Sequence, residues 1–396
     1  MTLDPLQSLL AAIACLLLGA AVNRKVGFLG KYNIPDPVTG GLLFAIVASI
    51  AVTWGGAQLS LNATMKPTLL LMFFAGIGLG ADLRLLKQGG KALALFMVVL
   101  FPFLILQNVV GIAAARALDL HPIFGLIAGS ITLVGGHGTG AAYAERFAEV
   151  NNLQSVMELS MTSATVGLVL GGIVAGPVAQ YLISRYKLRS RSADISTTVD
   201  TDEVVAPITT LGFMGALAGI LAAVIIGQWL GGRLHDLPLT IPGFVWCLIV
   251  GVVIRNLLPF AGVYIDDRAS ELISGISLAL FLAMTMMALN LFEVALTAGP
   301  LLLILIAQVL MIVAYAVWVC FRFMGRDYEA VTTTAGFIGF NLGSTATAIA
   351  NMQAITARYG QAPKSFLIVP LAGAFFVDLL NAAILTFFLS LGFVGG

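Results

Sequence analysis

The sequence predicts an all-α polytopic membrane protein: ten transmembrane helices plus two re-entrant hairpins, in two inverted-topology repeats of five helices each. Three observations carry this. Apolar residues make up 59% of the 396 residues and charged residues 10%, against about 25% charge in a soluble chain. The apolar residues gather in runs close to the roughly 20 needed to span a bilayer. Two further runs are broken at half length by glycine and hydroxyl residues. With 20 Lys and Arg against 19 Asp and Glu, no net field attracts a polyanion, so no nucleic-acid partner is expected.

The candidate spans, in order, are 6–22, 38–54, 67–80, 92–115, 156–183, 208–230, 241–259, 272–289, 300–321 and 365–391. The first carries no Lys or Arg before it and Arg24 and Lys25 after it, the reverse of a cleaved signal peptide. The third is short. The fifth and last are long enough to tilt or to emerge from the bilayer. The segment 123–148 is apolar to Leu133 and then reads Val-Gly-Gly-His-Gly-Thr-Gly-Ala-Ala. The segment 328–357 is apolar around Ala335–Phe340 and then reads Asn-Leu-Gly-Ser-Thr-Ala-Thr-Ala. Such breaks persist at membrane depth only where protein or water meets the freed backbone groups, which predicts a hairpin at each. The largest polar stretch, 184–204, separates an N-terminal repeat at 1–183 from a C-terminal repeat at 205–396, and reads as an exposed linker.

Charge placement orients this scheme. With the N-terminus outside and both hairpins returning to the side they enter, sixteen Lys and Arg fall inside. Lys66, Arg116, Arg146 and Arg233 fall outside. Treating either hairpin as a full span would move every later loop to the other side. Both termini are therefore expected outside and the linker inside.

The halves also repeat. Gly136–Ala141 falls on Gly343–Ala348 at an offset of 207, and Ala75–Leu83 on Ala283–Leu291 at 208, which pairs Asp82 with Asn290. Five spans separate equivalent points, so the second copy is upside down in the membrane. Inverted repeats with broken helices are the architecture of secondary transporters, whose site lies where the breaks meet. An ion channel is the second expectation and a membrane-embedded enzyme the third. No H-E-x-x-H or G-x-S-x-G is present, so no enzyme constellation is assigned.

Gly136, His137, Gly138, Thr139, Gly140 and Ala141 form the first candidate tip. Their glycines permit a turn with φ > 0 and close approach of a ligand to the backbone. The helix that restarts there aims free N–H groups and a positive dipole end at the gap, which suits a carboxylate. The same letters match a dinucleotide fingerprint, but no strand precedes them. Gly343, Ser344, Thr345, Ala346 and Thr347, with Asn351 beyond, offer the same geometry from the other face. Asn341, and Ser163 and Thr165 on the fifth span, supply oxygens for a sodium ion. Asp378, in the middle of the last span, is the favoured cation ligand, because a central aspartate costs about 2.5–3.5 kcal/mol on insertion scales. His137 reads first as a neutral donor fixing the turn. Gln107 and Asn108 read as helix–helix glue. Cys15, Cys247 and Cys320, and Met284, Met286 and Met287, read as core. Glu158 reads as solvated near the outer interface.

Tyr32–Leu42, Ala128–Ala142, Val166–Gly172 and Ala346–Ile355 together resemble the bacterial sodium/glutamate symporter family over nearly the whole chain. The stretch Gly-Gly-His-Gly-Thr-Gly-Ala-Ala is the most specific part. Ala346 stands where the family pattern implies proline. The resemblance implies uptake of L-glutamate with sodium as the coupling ion and no other cofactor. It also implies a homodimer in the bacterial inner membrane, with the hairpins in a moving domain. A symporter for another small carboxylate or amino acid is the neighbouring alternative.

Overall fold

The computed structural model describes residues 3–55, 61–150, 155–190, 207–234 and 241–395. It is helical, with no strand among the described residues. The first half holds α1 (Pro5–Lys25), α2 (Gly27–Lys31), α3 (Asp36–Gly55), α4 (Lys66–Gly80), α5 (Leu86–Ala117), α6 (Pro122–Leu126), α7 (Gly136–Val150) and α8 (Val156–Tyr186). The second holds α9 (Thr210–Arg233), α10 (Gly243–Leu257), α11 (Asp267–Met287), α12 (Leu291–Tyr315), α13 (Phe321–Phe323), α14 (Tyr328–Leu342), α15 (Thr345–Tyr359), α16 (Pro363–Leu371), α17 (Val377–Leu389) and α18 (Gly392–Gly395).

Local sequence sets the helix ends. Asp4 and Gln7 form a reciprocal capping box on α1, with Gln7 N donating to Asp4 Oδ1 at 2.8 Å and Asp4 N to Gln7 Oε1 at 3.1 Å. Asp266 and Asp327 cap α11 and α14 by accepting backbone N–H groups. Seven of the expected spans are helices long and apolar enough to cross a membrane. Those at 38–54, 67–80 and 365–391 appear as shorter apolar helices. The last is interrupted because a π-type turn at Ala372–Phe376 separates α16 from α17. Most of the linker expected at 184–204 lies outside the described residues. Large apolar side chains face outward along these helices, among them Leu10, Leu17, Ile225, Leu303, Leu310 and Trp318. In water such faces would be unstable; against lipid they are the solvated surface. Cys15, Cys247 and Cys320 are buried free thiols, and Met284, Met286 and Met287 are buried core.

The helices pack as two groups. A frame is built from α1, α3, α4, α9, α10 and α11: α3 lies on α1 and α11, and α4 on α10 and α11. An inner group is built around α8, which packs on α7, α12, α14 and α15. Phe103 of α5, Tyr315 of α12 and Phe337 of α14 form a triangle of rings, with Phe337 4.9 and 5.9 Å from the other two and those two 5.1 Å apart. Frame and inner group share an apolar core, in which Phe74, Phe244 and Phe281 of the frame lie with buried residues of α7 and α8. Tyr143 of α7 meets Phe244 of α10 edge to face at 5.1 Å, and Lys66 of α4 pairs with Glu145 of α7 at 2.6 Å. Glu158 is half-buried rather than simply solvated, because its Oε1 accepts the backbone N–H of Asn290 at 3.2 Å.

Candidate functional site

Both expected breaks are present. The first leaves the helix at the π-type turn Ile127–Ile131, where Gly129 takes φ −104° and ψ −136°. The chain restarts as α7 at Gly136, whose φ of 65° lies in the region that favours glycine. Side-chain amides meet the freed backbone. Ser130 N donates to Asn108 Oδ1 at 3.1 Å, and Asn381 Nδ2 of α17 donates to Ser130 O at 2.9 Å. Thr132 Oγ1 donates to Ile127 O at 2.6 Å and so accepts from Ser163 Oγ at 2.7 Å.

The second break lies between α14 and α15. Ser344 caps α15, its Oγ accepting Thr347 N at 3.2 Å. Gln107 Nε2 of α5 donates to Asn341 O at 3.0 Å. Consecutive residues of one helix, Gln107 and Asn108, thus grip one break each.

The two breaks meet. A Cβ placed on Gly136 would lie 3.9 Å from the Gly343 carbonyl oxygen. α8 runs beside the junction, and Gly167 is the reason it comes so close. A Cβ there would overlap the Leu342 carbonyl and stand 2.6 Å from Leu133 Cδ2.

The remaining candidates take distinct places. His137 is buried, with Nε2 2.9 Å from Thr165 Oγ1. That hydroxyl gives its own proton to Met161 O at 2.9 Å, so the ring nitrogen is the donor. His137 therefore anchors the first tip to α8. Gly138 faces the frame, where a Cβ would press on Phe73 and Leu278. Gly140 faces Ser160 of α8. Thr139 and Ala141 are buried. At the second tip Ala346 is exposed, Thr345 lies against Gly373 of the π-type turn before α17, and Thr347 is buried. Asn351 donates from Nδ2 to Gly171 O at 3.0 Å. A cavity of about 320 Å³ runs between α8 and α15 from Asn351 toward the end of α15, lined by Gly172, Gln180, Asn351, Arg358 and Tyr359.

The four oxygen donors expected for sodium are not gathered by direct contacts. Ser163 and Thr165 serve the first break, Asn341 ends α14, and Asp378 is half-buried in the first turn of α17. No hydrogen bond among the described residues joins Asp378 to the other three. Its helix reaches the first break through Asn381, one turn further on. The sequence alone does not single out Asn381, Ser130, Thr132 or Gln308; for Asn381 and Gln308 the available signal is an amide inside an apolar run, the same signal that marks Gln107, Asn108, Asn341 and Asn351.

The family model for the sodium/glutamate symporters matches residues 1–361. The chain belongs to the sodium/glutamate symporter family. It is 41% identical over 390 residues to the sodium/glutamate symporter of Haemophilus influenzae, covering 97% of this chain and 96% of that one. It is 41% identical over 398 residues to the sodium/glutamate symporter of Escherichia coli K12, covering 100% and 99%. A symporter family is not an enzyme class, and its several apolar helices make this a multi-pass membrane protein.

Proposed function

We propose that this protein carries L-glutamate into the cell together with sodium, by alternating access, with the substrate held between the two helix breaks. The observation that carries the reading is the meeting of Gly136 and Gly343. Two helix N-termini, those of α7 and α15, start at this junction. Their unpaired first N–H groups and positive dipole ends suit the carboxylates of glutamate. The names of the relatives supply the substrate and the coupling ion.

In this reading Gly136–Ala141 and Gly343–Thr347, with Asn351, line the substrate. Asp378, Asn341, Ser163 and Thr165 supply oxygen or negative field for sodium. Bound sodium orders the tips, and the ordering is a reciprocal coupling free energy between ion and substrate. The inner group moves against the frame in an elevator-like displacement. The frame carries a homodimer contact, in the bacterial inner membrane, with both termini periplasmic.

The division into frame and inner group supports this reading, and so does the sidedness of the contacts. Lys66 with Glu145 and Glu158 with Asn290 join segments assigned outside. Asp82 with Arg255 and Ser190 with Gln361 join segments assigned inside. Two inverted repeats of ten spans and two hairpins accommodate all four.

The test is uptake of radiolabelled L-glutamate into proteoliposomes. Saturable uptake that stops when the sodium gradient is collapsed is expected. Uptake indifferent to sodium, or a flux that never saturates, would overturn the reading.

A further inference from the structure

We infer that the C-terminal end of α14 is a sodium site built from the side-chain oxygens of Asn341, Gln107 and Gln308. The inference rests on the symport reading and deepens it. All three side chains are fully buried. Each amide nitrogen already has a partner. Gln308 Nε2 donates to Gln107 O at 2.9 Å, Gln107 Nε2 to Asn341 O at 3.0 Å, and Asn341 Nδ2 to Phe337 O at 2.8 Å. These bonds fix which end of each amide is nitrogen, because a flipped amide would set oxygen against a carbonyl oxygen. What is left is Gln107 Oε1, Gln308 Oε1 and Asn341 Oδ1, each buried and without a donor.

All three are acceptors, and this decides the ligand. A buried acceptor without a partner costs about 1–3 kcal/mol. A single water bridging the three has two hydrogens and would leave one oxygen unmet, whereas a cation bridging them leaves none.

A second buried polar group next to it makes the comparison. At Asn108, Ser130 and Asn381 the unpartnered atoms are Asn108 Nδ2, Ser130 Oγ and Asn381 Oδ1. That set mixes donor, hydroxyl and acceptor, which is what a water molecule can satisfy. Among the described residues the all-acceptor set is the one beside the second break.

Position adds to chemistry. Asn341 stands in the last turn of α14, where the helix dipole presents its negative end. Broken half-helices in transporters coordinate sodium with such ends. Neutral hard oxygens without a carboxylate suit a monovalent ion over calcium or a transition metal. The contributors come from three helices, α5, α12 and α14. An ion there would tie the second break to both neighbours, two residues from the point where it meets Gly136.

Sodium titrations of thermal unfolding, made on purified full-length protein at constant ionic strength with choline as the replacement ion, test the site. Gln107→Met and Gln308→Met each remove, at similar volume, one oxygen together with the amide N–H that donates to Asn341 O or Gln107 O. Half-saturating sodium should rise roughly ten- to a hundredfold in either. Asn381→Leu, in the mixed group, should leave it unchanged. Gln308→Glu keeps one oxygen, adds charge, and sets its second oxygen against the Gln107 carbonyl where the amide N–H stood; a cation bridging those oxygens is held more tightly, so half-saturating sodium should fall, and this variant decides the matter if the methionine variants do not fold. Folded methionine variants with wild-type sodium response, an unchanged midpoint in Gln308→Glu, or an equal shift in Asn381→Leu would overturn the site. In those cases sodium-driven glutamate uptake by the wild type still upholds the symport reading. A wild type whose unfolding ignores sodium overturns the site, and the absence of sodium-driven uptake overturns the reading itself.

Discussion

Lys66 Nζ lies 2.6 Å from Glu145 Oε1, and the pair ties α4 of the frame to α7 of the inner group. Both side chains are largely screened from solvent, and the Lys66 ammonium also stands 5.5 Å from the Phe281 ring. An elevator-like displacement has to part these residues. A Lys66→Cys, Glu145→Cys protein joined by a short bifunctional thiol reagent should therefore bind glutamate and fail to transport it. Full uptake in the cross-linked protein would mean that α7 does not move against α4.

Gly167 separates close approach from mere smallness. Gly167→Ala drives a methyl into the Leu342 carbonyl and Leu133. Overpacking of this kind costs about 1–3 kcal/mol, so thermal stability and uptake should both fall. Gly176→Ala is the control on the same helix, where nothing lies within 4 Å of the added carbon. Equal behaviour of the two variants in a melting assay would contradict the packing described.

Thr347 and Thr39 are both buried hydroxyls, but only Thr347 stands at the junction of the breaks. Thr39 Oγ1 donates to Asn23 Oδ1 at 2.8 Å within the frame. Thr347→Val should weaken glutamate binding about ten- to a hundredfold, the value of one hydrogen bond to a charged group. Thr39→Val should lower stability and leave affinity unchanged. Equal small changes in affinity would make the tip hydroxyls structural.

Asp378→Asn keeps the size of the side chain and removes its charge. The variant should express and fold, and need more sodium for half-maximal uptake. The substrate defect should shrink as sodium saturates. A well-expressed variant with unchanged sodium dependence would take this carboxylate out of ion coupling.

Asp82 gives the pH dependence a sign. Its carboxyl is held down to about 2, against the desolvation that raises it, first by the Arg84 side-chain hydrogen bonds at 2.6–3.1 Å, then by the Arg84 backbone N–H at 2.9 Å and by the charges of Arg84 and Arg255. The unfolded value is near 3.9. A carboxylate whose pKa is depressed on folding stabilises the protein above the unfolded value. That stability is lost as pH falls from about 4 through about 2. Arg84 is 59% exposed, so salt should weaken the effect. The gap in melting temperature between wild type and Asp82→Asn should be widest near neutral pH, narrow below about pH 4 and close toward about pH 2. A gap that widens on acidification would contradict the assignment.

Much of this was legible in the sequence. Apolar runs located the helices to within a few residues, since at membrane depth length and hydropathy decide. Gly135–Gly136 and Gly343–Ser344 marked both breaks, because only small or hydroxyl residues tolerate them. What the sequence did not show was partnership across the chain. Gln308 shows in the sequence only as an amide in an apolar run, and its role exists only where α12 passes α5. Gln107 and Asn108 were visible as polar residues in an apolar run, but not as the clasps of two different breaks. Ser163 and Thr165 were visible as oxygens, though folding commits them first to Thr132 and His137.

The clasp formed by Gln107 and Asn108 has a consequence for biogenesis. The partner of Gln107 lies 234 residues further along the chain, and Asn381 is 251 residues beyond Ser130. At about 5–20 residues per second, the ribosome needs roughly 10–50 seconds to deliver Asn341 after Gln107 has emerged. Through that interval the first half sits in the insertion machinery with polar amides in an apolar helix and an unclosed backbone break. The nascent chain is then a client for whatever shields polar groups from lipid, and a translational pause past the midpoint of the message would lengthen its exposure. Neither half can mature ahead of the other, so the point of no return for folding comes with the last helix to leave the ribosome.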